Sequence, residues 1–198
     1  MRTPLLALAA LAIAACAAPA PTPTPPYGLP PLTLPVDEAP HDFATEWWYF
    51  NAHLAGPQGE RFSLHDVLFQ VREPSSGRVL YVRQMGLSDE GAGTHVEGER
   101  LRSMEAVTAG TPDGYSFDVG GAFTGMGGER YHLVGTVDGY AYDLTLVSEV
   151  PELVHDGDGL VDSGPAGITY YFSRPRLEVS GVLTPPDGAP VPVSGLGW

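Results

Sequence analysis

The sequence predicts an all-β fold, an antiparallel barrel or sandwich, and three observations carry that reading. Twenty-five glycines and twenty prolines among 198 residues leave little room for long helices. No long stretch shows the apolar periodicity of a helix. Short alternating or aromatic stretches recur instead, separated by turn residues at hairpin spacing. About eight such strands make an antiparallel barrel or sandwich the natural class.

The first fifteen residues, MRTPLLALAALAIAA, carry one charge, Arg2, followed by an apolar run. That run is too short and alanine-rich for a good membrane span and fits a secretory signal. Ile13-Ala14-Ala15-Cys16 then forms a bacterial lipobox. Cys16 is the only cysteine, so it has no disulfide partner, and it stands where a lipoprotein signal is cleaved and acylated. The expectation is a signal peptide over 1–15 and a lipid anchor on Cys16. The protein would then sit at the cell envelope, on the outer side of the cytoplasmic membrane or in the periplasm or outer membrane. Eight prolines between Pro19 and Pro35, with no charge among residues 17–35, make residues 16–35 a semi-rigid tether. One folded domain is expected over 36–198.

Within that domain the strands are read in order. Residues 45–54 (TEWWYFNAHL) are rich in strand formers, and Gly56-Pro57-Gln58-Gly59 turns the chain into a second strand over 60–72. Ser75-Ser76-Gly77 leads into a strand over 78–87. Residues 88–110 are polar and glycine-containing and read as loop with short strands. A short strand is expected over 115–119. Strands over 129–137 and 140–148 flank Asp138-Gly139, the strongest short-range hairpin signal in the chain. In the second of these, Tyr140, Tyr142, Leu144 and Leu146 share one face. Residues 151–163 read as a long loop. Strands over 168–174, 176–184 and 190–198 complete the domain.

The chain is strongly acidic, with 24 Asp and Glu against ten cations and a net charge of −14, and every cation is arginine. Nucleic acid is therefore not expected as a partner, since phosphate binding needs clustered positive charge. Without lysine there is no phosphate-binding loop of the Gly-Lys-Ser/Thr type. No Gly-x-Ser-x-Gly elbow is present either. His155-Asp156-Gly157-Asp158-Gly159 with Asp162 has the look of a calcium loop, but the closing bidentate glutamate is missing, and a glycine-rich turn is the better reading. No metal site is expected.

Two blocks carry candidate chemistry. Glu46-Trp47-Trp48-Tyr49-Phe50, shortly after His41-Asp42, places a carboxyl beside indoles that can line a pocket or face a cation. Read from spacing alone, it is better taken as a strand whose aromatics alternate between two sides. His65-Asp66 lies inside a strand, so its two side chains point to opposite faces and cannot act together. The inward one is either an acid or base or, more simply, a satisfied structural group.

Several blocks, in this order, resemble the carotenoid 1,2-hydratase / AttH-like lipocalin family. They are Leu34-Pro35 to His41, Glu46 to Phe50 with His53-Leu54, Phe62 to Arg72, His155 to Leu160, Tyr170 to Leu177, and Val193 to Trp198. The resemblance spans the whole folded part. It implies two lipocalin-like barrels in tandem, with the match confined to the first. Members usually run on through an Asp-His-(Glu/Gln)-Trp box, so the expectation is a chain truncated at its C-terminal end, with the strand over 190–198 left at an open edge.

The resemblance also implies a small apolar, isoprenoid-type substrate and acid-catalysed hydration, or a related lyase or hydrolase reaction, without a cofactor. Such chemistry needs a proton donor in an apolar setting, which raises a carboxyl pKa, and aromatic faces to shield a tertiary cation. Glu46, Asp66 and His65 are the candidate donors. Trp47, Trp48, Tyr49, Tyr170 and Tyr171 are the candidate aromatic wall. The alternative is a non-catalytic carrier of an apolar ligand at the envelope.

Overall fold

The protein is described here as a computed structural model covering residues 26–104, 114–127 and 129–198. The expected signal peptide, Cys16 and the first part of the expected tether lie outside the described residues. Residues 26–30 contain a short turn (Pro26–Gly28) and form a unit separate from residues 31–198. Among the described residues no helix is long and apolar enough to cross a membrane.

Ten strands form one antiparallel sheet. In chain order they are β1 (Thr45–Ala55), β2 (Arg61–Arg72), β3 (Val79–Asp89), β4 (Thr94–Met104), β5 (Tyr115–Asp118), β6 (Ala122–Gly125), β7 (Arg130–Val137) and β8 (Tyr140–Ser148). The short strands β9 (Leu153–Val154), β10 (Leu160–Asp162), β11 (Ile168–Tyr170) and β12 (Phe172–Ser173) form two small separate pairs, β10 with β11 and β12 with β9. The last two are β13 (Leu177–Thr184) and β14 (Val191–Gly197). Across the large sheet the order is β4-β3-β2-β1-β14-β13-β8-β7-β6-β5. The sheet curls until β3 and β4 touch β7.

Alternation decides which side chains enter the interior. On β8, Tyr140, Tyr142, Leu144 and Leu146 are all buried, while Asp143 faces solvent. On β3, Val79, Tyr81, Arg83, Met85 and Leu87 are buried in the same rhythm. Fully buried leucines such as Leu68, Leu133, Leu144, Leu177 and Leu183 each contribute about 1.5–3 kcal/mol by leaving water. The hairpin between β7 and β8 turns at Asp138 and Gly139, both at positive φ (44° and 86°), as a two-residue type I′ turn requires.

Arginines finish the closure where the backbone ladder stops. Arg83 Nη1 donates to the carbonyls of Gly121 and Val134, both at 3.0 Å. From β4, Arg100 donates to Thr136 O and Arg102 to Asp118 O.

Four sequence expectations are corrected. Within the segment read as loop over 88–110, the described residues 88–104 are mainly strand: β3 continues to Asp89 and β4 occupies Thr94–Met104, and residues 105–110 lie outside the described residues. β4 is an edge strand, largely exposed, so it carries no apolar alternation to read. A further strand, β6, was not anticipated, being four residues long and flanked by glycine. The strand expected over 168–174 divides into β11 and β12, which pair with β10 and β9 inside the segment read as a long loop. Finally, β14 is not an open edge but lies between β1 and β13. Gly195 permits this close approach, since a Cβ there would fall 1.8 Å from His53 O.

Candidate functional site

The end of the barrel at which β1 begins and β2 finishes is crossed by residues 33–43. A short turn, Val36–Glu38, opens this strap, with Thr33 N donating to Asp37 Oδ2 at 2.6 Å. The strap brings His41 onto Glu46. Along β1 the even residues Glu46, Trp48 and Phe50 face inward, and Trp47 faces out with 38% of its surface exposed. Trp48 packs on Tyr115 and Phe117, at ring separations of 5.9 and 5.1 Å.

The Glu46 side chain is 13% exposed, and its hydrogen bonds fix where a proton can sit. Oε2 accepts from His41 N at 2.7 Å and from Gln70 Nε2 at 3.1 Å. Gln70 is held in that orientation because its own oxygen accepts from Tyr81 Oη at 2.9 Å and its nitrogen also donates to His41 O. With Oε2 occupied by two donors, Oε1 is left to pair with His41 Nδ1, 2.8 Å away. Burial raises the Glu46 pKa above the usual carboxyl value, and the bonds from His41 and Gln70 pull it only partly back.

His41 turns its other ring nitrogen outward. Nε2 lies 3.5 Å from Asp37 Oδ1, and the side chain is 33% exposed. Phe43 stacks on His41 at 5.3 Å, and Tyr170 stacks on Phe43 at 6.4 Å. Desolvation and the nearby Asp37 raise the Tyr170 pKa. The result is an imidazole with a partly buried carboxyl behind it, another carboxylate beside it and two aromatic faces at its rim.

The other candidates fall elsewhere. Asp66 is fully buried deep in the barrel. Its carboxylate takes Arg83 Nε at 2.8 Å, Arg83 Nη2 at 2.6 Å and Tyr142 Oη at 2.7 Å. Burial, then the Asp66 charge, pushes the Tyr142 pKa well above its usual value. Gly135 makes room for that hydroxyl, since a Cβ there would lie 2.3 Å from it. His65 points outward, as alternation requires, and pairs with Asn51 Oδ1 at 2.7 Å. Tyr49 and Tyr171 do meet, hydroxyl to hydroxyl at 3.1 Å, with Trp47 6.3 Å from the Tyr171 ring. That contact is on the outer side of β1. There His155 stacks on Tyr171 at 4.2 Å, and the hydroxyl bond to Tyr49 pushes the Tyr171 pKa up to about 12. Two acids of the glycine-rich turn cap backbone: Asp158 accepts from Leu160 N and Asp162 from Gly164 N.

An open depression of about 360 Å³ lies at the β5–β6 edge, lined by Tyr115, Ser116, Thr124 and Met126 among others. The barrel interior is filled by side chains, including Arg83, Tyr81, Phe117, Phe123 and Met85. His41 and Asp37 were not among the sequence candidates. His41 lay in the matched block beside the aromatic run, but its partner across the strap could not be read from spacing.

The AttH-like family model matches residues 24–198. A crystal structure of a protein from Nitrosomonas europaea assigned as an AttH aligns with 89% of this chain and 56% of its own, at a TM-score of 0.75 and 24% identity. Kievitone hydratase from Nectria haematococca aligns with 85% of this chain and 51% of its own, at a TM-score of 0.58 and 13% identity. The chain thus spans about half the length of these two proteins, and at such identities the likeness shows the fold. No curated protein matches the chain.

Proposed function

The chain belongs to the AttH-like family, and on that footing we propose that it carries a hydratase-like acid site acting on a small apolar, isoprenoid-type molecule. The observation that supports this most is the 2.8 Å contact between Glu46 Oε1 and His41 Nδ1, with His41 Nε2 turned to the rim. A hydratase among the proteins of similar fold adds to it.

In this reading His41 is the residue that meets the substrate, and Glu46 is a positioning residue that holds its proton. Nε2–H protonates the less substituted carbon of an alkene, forming a C–H bond as the π bond breaks. Phe43 and Tyr170 present aromatic faces to the tertiary cation. Water adds to that cation, and its surplus proton returns to His41, giving a tertiary alcohol and restoring the site. The filled interior supports chemistry at the barrel end over carriage of a ligand inside it. The lipobox supports placing the module at the envelope through a lipid on Cys16, and loss of radiolabelled palmitate in Cys16→Ser tests that part.

The test of the reaction is incubation of the protein with a small isoprenoid bearing a terminal trisubstituted alkene in ¹⁸O-labelled water. The expected product is a labelled tertiary alcohol. His41→Phe should lower its rate by about 10²–10⁴-fold. Glu46→Gln should move the acid limb of the pH–rate profile, which a merely structural role would leave in place. Absence of labelled alcohol, or an unchanged rate in His41→Phe, overturns the proposal.

A further inference from the structure

Arg174, inside the matched Tyr170–Leu177 block, has no role in the reaction above, yet its side chain is 6% exposed and every nitrogen is engaged. Nε donates to Tyr131 Oη at 2.7 Å. Nη1 donates to Glu129 at 3.0 Å and to Glu152 at 3.3 Å, and Nη2 donates to Glu38 Oε1. The Tyr131 hydroxyl, accepting from Arg174, can donate in only one direction, and it does so to Glu38 Oε2 at 3.0 Å. Burial first, and then the Glu38 charge, raises the Tyr131 pKa, so this hydroxyl stays protonated. The Glu38 carbonyl in turn accepts from Trp48 Nε1 at 2.8 Å. Glu38 is therefore held at both carboxylate oxygens and at its backbone.

Glu38 is the last residue of the Val36–Glu38 turn. The residue before it is Asp37, which faces His41 Nε2, and His41 follows three residues later. We propose that Arg174 is the positioning residue of the His41 site: by clamping Glu38 it sets the strap that carries Asp37 and His41 over Glu46. This deepens, and rests on, the acid site proposed above. Only a guanidinium suits the position, because its planar fork reaches Tyr131, Glu38, Glu129 and Glu152 at once, which a single ammonium does not. The clamp lies outside the reacting groups, so Arg174 acts through His41 and not on substrate.

The experiment uses the full chain with ring-labelled histidine and compares wild type, Arg174→Ala and Glu38→Gln by NMR and by turnover of the alkene probe. Glu38→Gln keeps the side-chain shape but removes its charge and turns one accepting oxygen into a donor, so it reports on the clamp should Arg174→Ala fail to fold. The clamp predicts displaced Trp48 indole N–H and His41 ring resonances in both variants, with far-ultraviolet circular dichroism unchanged. It also predicts a fall in kcat on the order of 10²-fold in Arg174→Ala, as expected for a misplaced acid, with KM little changed. Added guanidinium should recover part of that loss, and sodium chloride at equal concentration should not. Folded variants whose Trp48 and His41 signals match wild type overturn the clamp, whatever the turnover. Displaced signals in a protein that never hydrates the probe sustain the clamp and sink the hydratase reading alone.

Discussion

The barrel holds two carboxyl-centred networks, and their difference separates a group that builds the fold from one that is free to react. At Asp66 the carboxylate, the Arg83 guanidinium and the Tyr142 hydroxyl answer one another in a region with no exposed surface, and Arg83 spends its remaining donors on backbone carbonyls. Burial works against the charge on Arg83, and Asp66 together with Tyr142 more than restores it. At Glu46 the carboxyl has no cationic arginine, its pKa is raised by burial, and its histidine keeps a ring nitrogen at the rim. A closed ion pair is costly to disturb and offers no proton. A half-buried acid with an open relay offers one at small structural expense.

Breaking the inner network should have the largest effect. Arg83→Met leaves Asp66 buried without its partner and is expected to cost about 3–5 kcal/mol, read as a lower urea midpoint. A midpoint near that of wild type would show that the interior tolerates the lone carboxylate and would remove the contrast.

The next effect is pH-dependent. The folded-state pKa of Glu46 is raised, so its protonation favours the folded form. That stabilisation is fully present below the ordinary carboxyl pKa of 4.5 and is lost as pH rises through the raised value. Relative to Glu46→Gln, wild type should therefore gain stability on acidification and hold no advantage at neutral pH. Thermal melts of both proteins across the acid range check this, and parallel curves would mean that Glu46 is not held in a desolvated site.

The smallest effect is expected at His65. Its ring stands outside the barrel on Asn51, so His65→Ala should change stability by less than about 0.5 kcal/mol and leave probe turnover unchanged. A large loss of turnover would move the chemistry to the outer face.

Alternation made much of this legible. It placed Tyr140, Tyr142, Leu144 and Leu146 on one face and separated His65 from Asp66, as the structure bears out. The signal that could have chosen Asp66 as the inward, structural member was also present. Arg83 falls in phase with Val79, Tyr81, Met85 and Leu87, and a cation at a core position needs an acid opposite it. β4 was illegible because a largely exposed edge strand, with Val96 packed against the core, shows no run of apolar alternation. The His41–Glu46 pairing was illegible for a different reason. It depends on an irregular strap fixed by Glu38, Tyr131 and Arg174, residues 93 and 136 positions apart in the contacts to Glu38, which no local period encodes.

The most direct test of the contrast is to measure melting temperature and probe turnover side by side for Glu46→Gln and Asp66→Asn. The account predicts a crossed result. Asp66→Asn should melt lower by about 10 °C, following the loss of its ion pair, and retain turnover while folded. Glu46→Gln should melt close to wild type and lose most of its turnover. A Glu46→Gln protein that melts as low as Asp66→Asn, with turnover per folded molecule unchanged, would contradict it and make both carboxyls parts of the scaffold.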